Sequence, residues 1–148
     1  MDDETRMGAM VSKEHKIKVK SYIDQAIGEG GKLIYGGNDF TVPNCAEGYY
    51  LQPTIIECTD NLTITKEEVF GPVLQLYKFT GEDEVLKRAN DSDLGLAGGI
   101  LTNDFHRIDR FTEELEVSKI SIHKSKNFIF LHRYVFTAIF LLSLHQNF

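Results

Sequence analysis

Two adjacent carboxylates precede a large aromatic residue and a Gly-Pro break in the segment from Glu67 to Pro72. A carboxylate can accept two hydrogen bonds from a vicinal diol such as a ribose. An aromatic ring two residues further on can pack against a flat ring. The segment therefore fits a site in which Glu68 binds a diol and Phe70 contacts a ring. The alternative is a solvated pair of acids beside a core phenylalanine, and the residues alone favour it because short motifs often match by chance.

The thiols and imidazoles of the chain form no recognisable catalytic or metal-binding pattern. Cys45 and Cys58 fit neither a zinc-binding spacing nor a Cys-x-x-Cys pair. No neighbouring histidine or helix N-terminus in the sequence would lower the pKa of either thiol. His15, His106 and His123 are isolated along the chain, so each is interpreted as a surface or structural residue. The sequence therefore predicts no catalytic residue and no metal ligand.

The residues before this segment must form the elements that position it, and their patterns predict a helix followed by short strands. Ser12 is a plausible helix N-cap, and the glycines from Gly28 onward end the helix. The apolar spacing that follows Ser12 predicts one buried helix face. That face consists of Val19, Tyr22, Ile23, Ala26 and Ile27. Residues 32–35 and 49–56 are predicted to be extended, with Pro53 interrupting the second run.

After the segment the pattern becomes regular, with strands predicted over residues 73–77, 94–101 and 119–123. Helical patterns separate these strands, and short links between strand and helix imply right-handed crossovers. The predicted fold class is therefore α/β, with a mostly parallel sheet and crossover helices.

The two crossover helices have recognisable start signals and buried faces. Thr80 with Asp83 resembles a capping box, and Glu84 with Arg88 forms an i, i+4 pair. The second helix is predicted to begin after a cap at position 103 or 104. Its apolar face consists of Phe105, Ile108, Phe111 and Leu115.

The bulk composition indicates a globular domain and excludes some partners. The 148 residues are 42% hydrophobic and 26% charged, with a formal net charge of -6. A nucleic-acid partner is not expected, because phosphate binding requires a clustered basic surface and the basic residues here are scattered among acids. The N-terminus is acidic and polar, so it does not resemble a secretory signal and the expected location is the cytoplasm.

Several segments together resemble the aldehyde dehydrogenase superfamily. Residues 65–73 resemble its EE[IV]FGPV signature, and residues 48–54 resemble its GYF-x-PT strand. Residues 89–100 resemble its AN-x-x-x-YGLA-x-x-V stretch, although Leu94 stands where an aromatic residue is usual. Residues 5–8 resemble the stretch before a long helix. The matches run in order from about residue 5 to about residue 125, and the betaine-aldehyde or trimethylaminobutyraldehyde branch is the most similar.

The resemblance implies a function and a cofactor. Family members oxidise an aldehyde to a carboxylic acid with NAD or NADP and no metal. A cysteine thiolate attacks the aldehyde, the nicotinamide accepts hydride, and a glutamate activates water to release the acid. An asparagine and a backbone amide hold the oxyanion. Family members are homo-oligomers, so the resemblance implies a homo-oligomeric parent enzyme.

The resemblance also implies that this chain is the C-terminal part of a truncated catalytic domain. The family's nucleophile lies in a GQ-x-C motif and its base in an E-L-G-G-K motif, and neither motif occurs in the sequence. What carries over is Glu68 as the ribose-binding carboxylate and Phe70 as the residue that positions the nicotinamide. Gly71 and Pro72 shape the turn that directs them. The chain alone is therefore expected to be inactive.

The end of the chain departs from the family. Residues 1–125 are predicted to be a partial catalytic domain, and residues 126–148 a divergent apolar tail with no helical stripe and no strict alternation. The apolar run is short for a membrane-spanning helix and contains Arg133, so membrane association is not expected. The alternative function is that of a non-catalytic truncated subunit, which binds full-length partners or a membrane.

Overall fold

The structure is a computed structural model that describes residues 5, 7–123, 129–134 and 138–142, the last two as backbone strands. It contains two compact units, Met1–Leu74 and Gln75–Phe148. The first unit holds helix α1, strands β1 and β2, and a short 3₁₀ helix. Their bounds are Lys13–Gly28 for α1, Lys32–Tyr35 for β1, Thr54–Glu57 for β2 and Thr63–Thr65 for the 3₁₀ helix.

Helix α1 begins and ends where the sequence predicts. The Ser12 side chain accepts a hydrogen bond from the backbone N–H of His15 at 3.1 Å, which satisfies one of the open donors of the first turn. The helix ends at Gly28, and Gly30 then adopts a φ of +101° that favours glycine. Val19, Ile23 and Ala26 are buried along one face, whereas Ile27 is exposed. The predicted apolar face is thus confirmed at its centre.

Strands β1 and β2 are antiparallel neighbours. Strand β2 is shorter than the predicted run because it begins only after Pro53, which has no N–H to donate. Leu51, which lies in the same predicted run, forms an isolated bridge with Asp39. Strand β1 is exposed along its whole length, although three of its residues are apolar.

The second unit is built mainly of strands and crossover helices. It contains helices α2 and α3, strands β4 to β7 and, from Gln75 onward, strand β3. Their bounds are Val73–Lys78 for β3, Glu82–Asn90 for α2, Ala97–Leu101 for β4, Phe105–Glu114 for α3, Ile120–His123 for β5, Ile129–Tyr134 for β6 and Ala138–Leu142 for β7. The strand order is β3-β7-β6-β4-β5. Strand β3 pairs in parallel with β7, and β4 pairs in parallel with β5.

The predicted α/β class with parallel strands and crossover helices is therefore confirmed. Antiparallel pairings also occur, between β1 and β2 and between β6 and both of its neighbours, β4 and β7. The sequence did not predict these antiparallel pairings. Strand β4 begins at Ala97, so the predicted strand over residues 94–101 is shortened at its start.

The start of α2 differs from the predicted capping box. The N-cap is Gly81, and no side chain caps it. The Glu84 carboxylate instead accepts hydrogen bonds from the backbone N–H and the hydroxyl of Thr80, at 2.9 and 2.7 Å. These bonds lower the pKa of Glu84. The predicted pairing of Thr80 with Asp83 is thus wrong, because the carboxylate that reaches back lies one residue later. The predicted ion pair between Glu84 and Arg88 is confirmed at 3.0 Å.

Helix α3 has the predicted cap and most of the predicted face. The Asp104 side chain accepts a hydrogen bond from the backbone N–H of His106 at 3.0 Å. Phe111 and Leu115 are buried, but Phe105 is 75% exposed, so its predicted place in the buried face is wrong. Side chains of a helix tilt towards its N-terminus. As the first residue of α3, Phe105 therefore extends beyond the packed part of the face.

Asn90 joins the ends of the two crossover helices. Its Nδ2 donates to the backbone carbonyl of Glu114 at 2.7 Å, and its Oδ1 accepts from the backbone N–H of Glu116 at 3.0 Å. The side chain of this last residue of α2 thereby satisfies two backbone groups at the end of α3. Arg110 of α3 also forms ion pairs with Glu82 and Asp83 of α2.

The predicted apolar tail contributes two strands, β6 and β7, which the sequence did not predict. The remainder of residues 126–148, and the Arg133 side chain, lie outside the described residues. Within the described part of the chain, no helix is long and apolar enough to cross a membrane. The predicted division between residues 125 and 126 stays a prediction.

The exposed strand β1 predicts that the isolated chain associates with itself. Leu33, Ile34 and Tyr35 are 41%, 46% and 55% exposed, and within the first unit the described strand partner of β1 is β2. Exposed apolar edge strands favour edge-to-edge pairing. We expect the chain to bind a hydrophobic dye and to form oligomers, as measured by dye fluorescence and light scattering. Ile34→Lys should reduce both, because a charge protects an edge strand.

A sharp, cooperative melt of a monomer that binds no dye would contradict this expectation. A charge placed on an already exposed helix position, as in Ile17→Lys, serves as the control, since Ile17 is 58% exposed on α1 rather than on the edge strand. Ile17→Lys should therefore reduce self-association less than Ile34→Lys does.

Candidate cofactor site

The predicted site residues lie in the connection between the 3₁₀ helix and β3. Glu67 is exposed, Glu68 is half-buried, Val69 is only 1% exposed and Phe70 is 53% exposed. The buried apolar side chain of this connection is thus Val69, and the alternative in which Phe70 belongs to the core is wrong. A half-buried carboxylate and an exposed aromatic ring two residues apart are suited to bind a ligand that combines a diol with a flat ring.

Phe70 has a φ of +52°, in the left-handed region. Among the residues that the structure describes, Asn44 is the other non-glycine residue with positive φ. Asparagine tolerates this conformation because its side chain bonds locally, whereas a bulky aromatic residue rarely adopts it. Such a conformation costs about 1–3 kcal/mol and persists only where the surroundings impose it. The strain at Phe70 therefore requires stabilising contacts.

Helix α1 supplies one of these contacts through His15. The distance between Nε2 of His15 and the backbone carbonyl oxygen of Phe70 is 2.7 Å, so the imidazole N–H donates to that carbonyl. His15 lies in the first turn of α1, which the Ser12 cap fixes. The hydrogen bond therefore ties the strained residue to a regular helix.

A second contact with α1 is made by Gly71. A Cβ atom at this position would lie 2.6 and 2.8 Å from the two Cγ atoms of Val19, closer than carbon atoms can pack. Val19 is fully buried on the inner face of α1. Glycine is therefore required here for close packing of the loop against the helix, and Val19 fixes how near the loop lies.

The turn that follows is held by backbone hydrogen bonds. The N–H of Val73 donates to the Gly71 carbonyl at 2.8 Å, and the N–H of Thr54 donates to the Pro72 carbonyl at 2.8 Å. The buried Thr54 hydroxyl in turn accepts from the N–H of Gly37 at 2.9 Å and donates to the Gln52 carbonyl. The start of β2 thereby fixes the end of the loop, while α1 fixes its middle.

The 3₁₀ helix before the loop is also attached to α1. The Glu29 carboxylate, just after α1, accepts from the backbone N–H and the hydroxyl of Thr63, both at 2.6 Å. These hydrogen bonds lower the pKa of Glu29. The connection that carries Glu68 and Phe70 is thus attached to α1 or its C-terminal cap at its start and in its middle, and to β2 at its end.

The two cysteines are free thiols that differ in burial. Cys45 is exposed in a loop, and Cys58 is buried, with its Sγ donating to the Ile56 carbonyl at 3.5 Å. Within the part of the chain that the structure describes, no three His, Cys, Asp or Glu side chains are grouped so that they could hold a metal ion.

Sequence reasoning missed His15 and Val19 as parts of the site. His15 lies 55 residues before Phe70, and its spacing in α1 gives no indication of a partner. Val19 was predicted only as a core residue. Both roles arise from tertiary packing between α1 and the loop, which local patterns do not encode.

Replacing Gly71 with alanine is expected to destabilise the first unit, because the added Cβ would overlap Val19. Overpacking of this kind costs about 1–3 kcal/mol, which urea unfolding of the chain measures as a lower midpoint. Gly28→Ala is the matched control, since a Cβ there meets no heavy atom within 4 Å. Val19→Ala should restore part of the loss in the Gly71→Ala variant. If Gly71→Ala lowers the unfolding midpoint equally whether residue 19 is valine or alanine, overlap with Val19 is not the cause of the loss.

Residues 1–133 match the model of the aldehyde dehydrogenase family. The chain is 49% identical over 124 residues to 4-trimethylaminobutyraldehyde dehydrogenase B of Danio rerio, a match that covers 82% of this chain and 24% of that protein. It is 45% identical over 126 residues to a betaine aldehyde dehydrogenase of Rhizobium johnstonii, covering 83% of this chain and 25% of that protein.

The fold is also similar to solved structures. A betaine aldehyde dehydrogenase of Staphylococcus aureus in complex with NAD+ superimposes with a TM-score of 0.79 at 35% sequence identity. That match covers 85% of this chain and 25% of the solved chain. The chain therefore spans about a quarter of the length of the relatives that it matches.

Proposed function

Because the chain belongs to the aldehyde dehydrogenase family, we propose that it forms the cofactor-binding edge of an enzyme that oxidises an aldehyde to a carboxylic acid. In this proposal Glu68 accepts hydrogen bonds from the nicotinamide ribose, and Phe70 limits where the nicotinamide ring can lie. NAD or NADP, when bound, accepts the hydride that leaves the aldehyde carbon. The residues of this chain bind and orient the cofactor.

The observation that carries this proposal is the pairing of a half-buried Glu68 with an exposed Phe70 on a strained backbone. Strain and an exposed aromatic ring both cost stability, so their combination in an anchored loop fits a binding role better than a packing role. The relative solved with NAD+ supports the choice of a nicotinamide cofactor. The carboxylate and ring of this chain match the two chemical parts of that cofactor's nicotinamide nucleoside.

For the substrate we propose an aldehyde that carries a quaternary ammonium group. Support comes from the names of the relatives, which are trimethylaminobutyraldehyde and betaine aldehyde dehydrogenases at 41–49% identity. In the proposed parent enzyme, the thiol nucleophile and the general base come from outside the segment that resembles this chain.

The 148-residue chain is accordingly expected to reduce no NAD+ with any aldehyde. Cys58 is buried, and the exposed Cys45 lies in a loop without an evident base in sequence. Absorbance at the NADH wavelength measures turnover with betaine aldehyde and with a simple aliphatic aldehyde. Activity that disappears in Cys45→Ala or Cys58→Ala would identify a catalytic thiol in this chain. Activity that survives both substitutions would contradict the proposed mechanism.

Glu68 and Phe70 are best tested with the rest of the enzyme restored, by grafting residues 5–125 into a full-length family member in place of its own segment. Glu68→Gln keeps the shape of the side chain and removes its charge. Because hydrogen bonds to charged groups contribute about 1.5–3 kcal/mol, this change should weaken NAD+ binding or slow NADH formation by roughly 10- to 100-fold. Pre-steady-state NADH formation and NAD+ titration measure the two effects.

Glu67→Gln is the matched control, since Glu67 is the exposed neighbour of the same type. It should change either quantity much less than Glu68→Gln does. Phe70→Ala should slow NADH formation more than it weakens aldehyde binding. Equal effects from the two glutamine variants would show that the residue assignment is wrong, and no effect from either would show that the segment is structural.

A second candidate function is that of a non-catalytic subunit that binds full-length partners, and the exposed edge strand β1 favours it. Light scattering of the chain mixed with a full-length relative distinguishes this candidate. A mixed complex that Ile34→Lys disrupts would support it, and a scattering mass equal to that of the two separate species at micromolar concentration would exclude it.

A further inference from the structure

We propose that His15 is a positioning residue of the cofactor site, which holds Phe70 in its left-handed conformation through the hydrogen bond from Nε2 to the Phe70 carbonyl. The structural part of this inference stands on the 2.7 Å contact and the φ of +52°. Its functional part rests on the proposed function, in which Phe70 limits the position of the nicotinamide.

The direction of this hydrogen bond shows that Nε2 of His15 carries a proton. A backbone carbonyl only accepts, so Nε2 of His15 must carry a proton. The neutral ring with its proton on Nε2 and the fully protonated ring both meet this condition. What the site requires of residue 15 is therefore an N–H donor at the distance of Nε2 from the backbone.

This requirement suggests informative substitutions. A glutamine side chain places an N–H donor at about the distance of Nε2 from the backbone, an asparagine donor falls short, and alanine has none. Glutamine should therefore preserve the contact with Phe70. Asparagine and alanine should both lose it and allow Phe70 to leave the left-handed region.

A role of His15 in α1 itself does not account for the contact. The bond between Ser12 and residue 15 uses the backbone N–H of that residue, which glutamine, asparagine and alanine all retain. Alanine also has a higher intrinsic helix propensity than histidine. Loss of the imidazole should thus leave α1 intact, so that changes at Phe70 report on the side-chain hydrogen bond.

The structural arm of the test uses NMR of the 148-residue chain. The backbone coupling constant and carbon shifts of Phe70 should indicate positive φ in the unmodified chain and in His15→Gln, and should shift towards negative φ in His15→Ala and His15→Asn. His106→Ala, a change of an exposed histidine on α3, should leave Phe70 as it is. Positive φ at Phe70 that persists in both His15→Ala and His15→Asn would overturn the proposal.

The kinetic arm uses the full-length graft. Loss of one neutral hydrogen bond should slow the rate constant of NADH formation by roughly 2- to 10-fold in His15→Ala, and His15→Gln should restore it. If His15 were merely structural, fewer molecules of the variant would be folded. The amplitude of the pre-steady-state NADH signal would then fall, while its rate constant would not change. An unchanged rate constant in His15→Ala, in a graft where Glu68→Gln does slow the reaction, would overturn the positioning role.

The two arms separate failure of this inference from failure of the proposed function. If Glu68→Gln has no effect in the graft, the proposed function fails, while the NMR result still decides whether His15 holds Phe70. If His15→Ala unfolds the chain, His15→Asn in the graft gives the same comparison of rate constant with amplitude.

Discussion

A bulky residue with positive φ must be held by its neighbours, and at Phe70 this constraint is met by contacts of the surrounding loop with α1 and β2. The His15 imidazole bonds to the Phe70 carbonyl, Val19 sets the approach of Gly71, and Thr54 bonds to the Pro72 carbonyl. Each partner belongs to a regular element, either α1 or β2. The backbone of the loop is thus held by hydrogen bonds and close packing, while the Phe70 ring is exposed and the Glu68 carboxylate is half-buried, which is the preorganisation that the proposed binding role needs.

The parts of this arrangement that depend on local pattern could be predicted from the sequence. The N-cap at Ser12, the buried face around Ile23 and the pair of Glu84 with Arg88 follow from spacing and propensity, and all three are present. The α/β class follows from the alternation of helical and extended patterns. The residues alone make Glu68 and Phe70 weak candidates, because two acids and an aromatic residue are individually common, and the resemblance of a longer stretch is needed to favour a binding role.

The parts that depend on tertiary contacts could not be predicted. The bond between His15 and Phe70 joins residues 55 positions apart, and no local rule relates them. Phe105 has the spacing of a core residue, yet the end of α3 leaves it exposed. The strands β6 and β7 lack the alternation of a half-exposed strand, and each pairs with a strand that lies far from it in the sequence, β4 for β6 and β3 for β7, which local patterns do not encode.

We propose that Glu68 and Phe70 together bind the nicotinamide nucleoside, and a crystal structure of the full-length graft with NAD+ would make their contacts visible. We expect a Glu68 carboxylate oxygen about 2.5–3.2 Å from a hydroxyl of the nicotinamide ribose. The Phe70 ring should lie beside the nicotinamide, with His15 still bonded to the Phe70 carbonyl. A ribose bound by Glu67, or one bound elsewhere while Glu68 faces only solvent, would show that these roles are wrong.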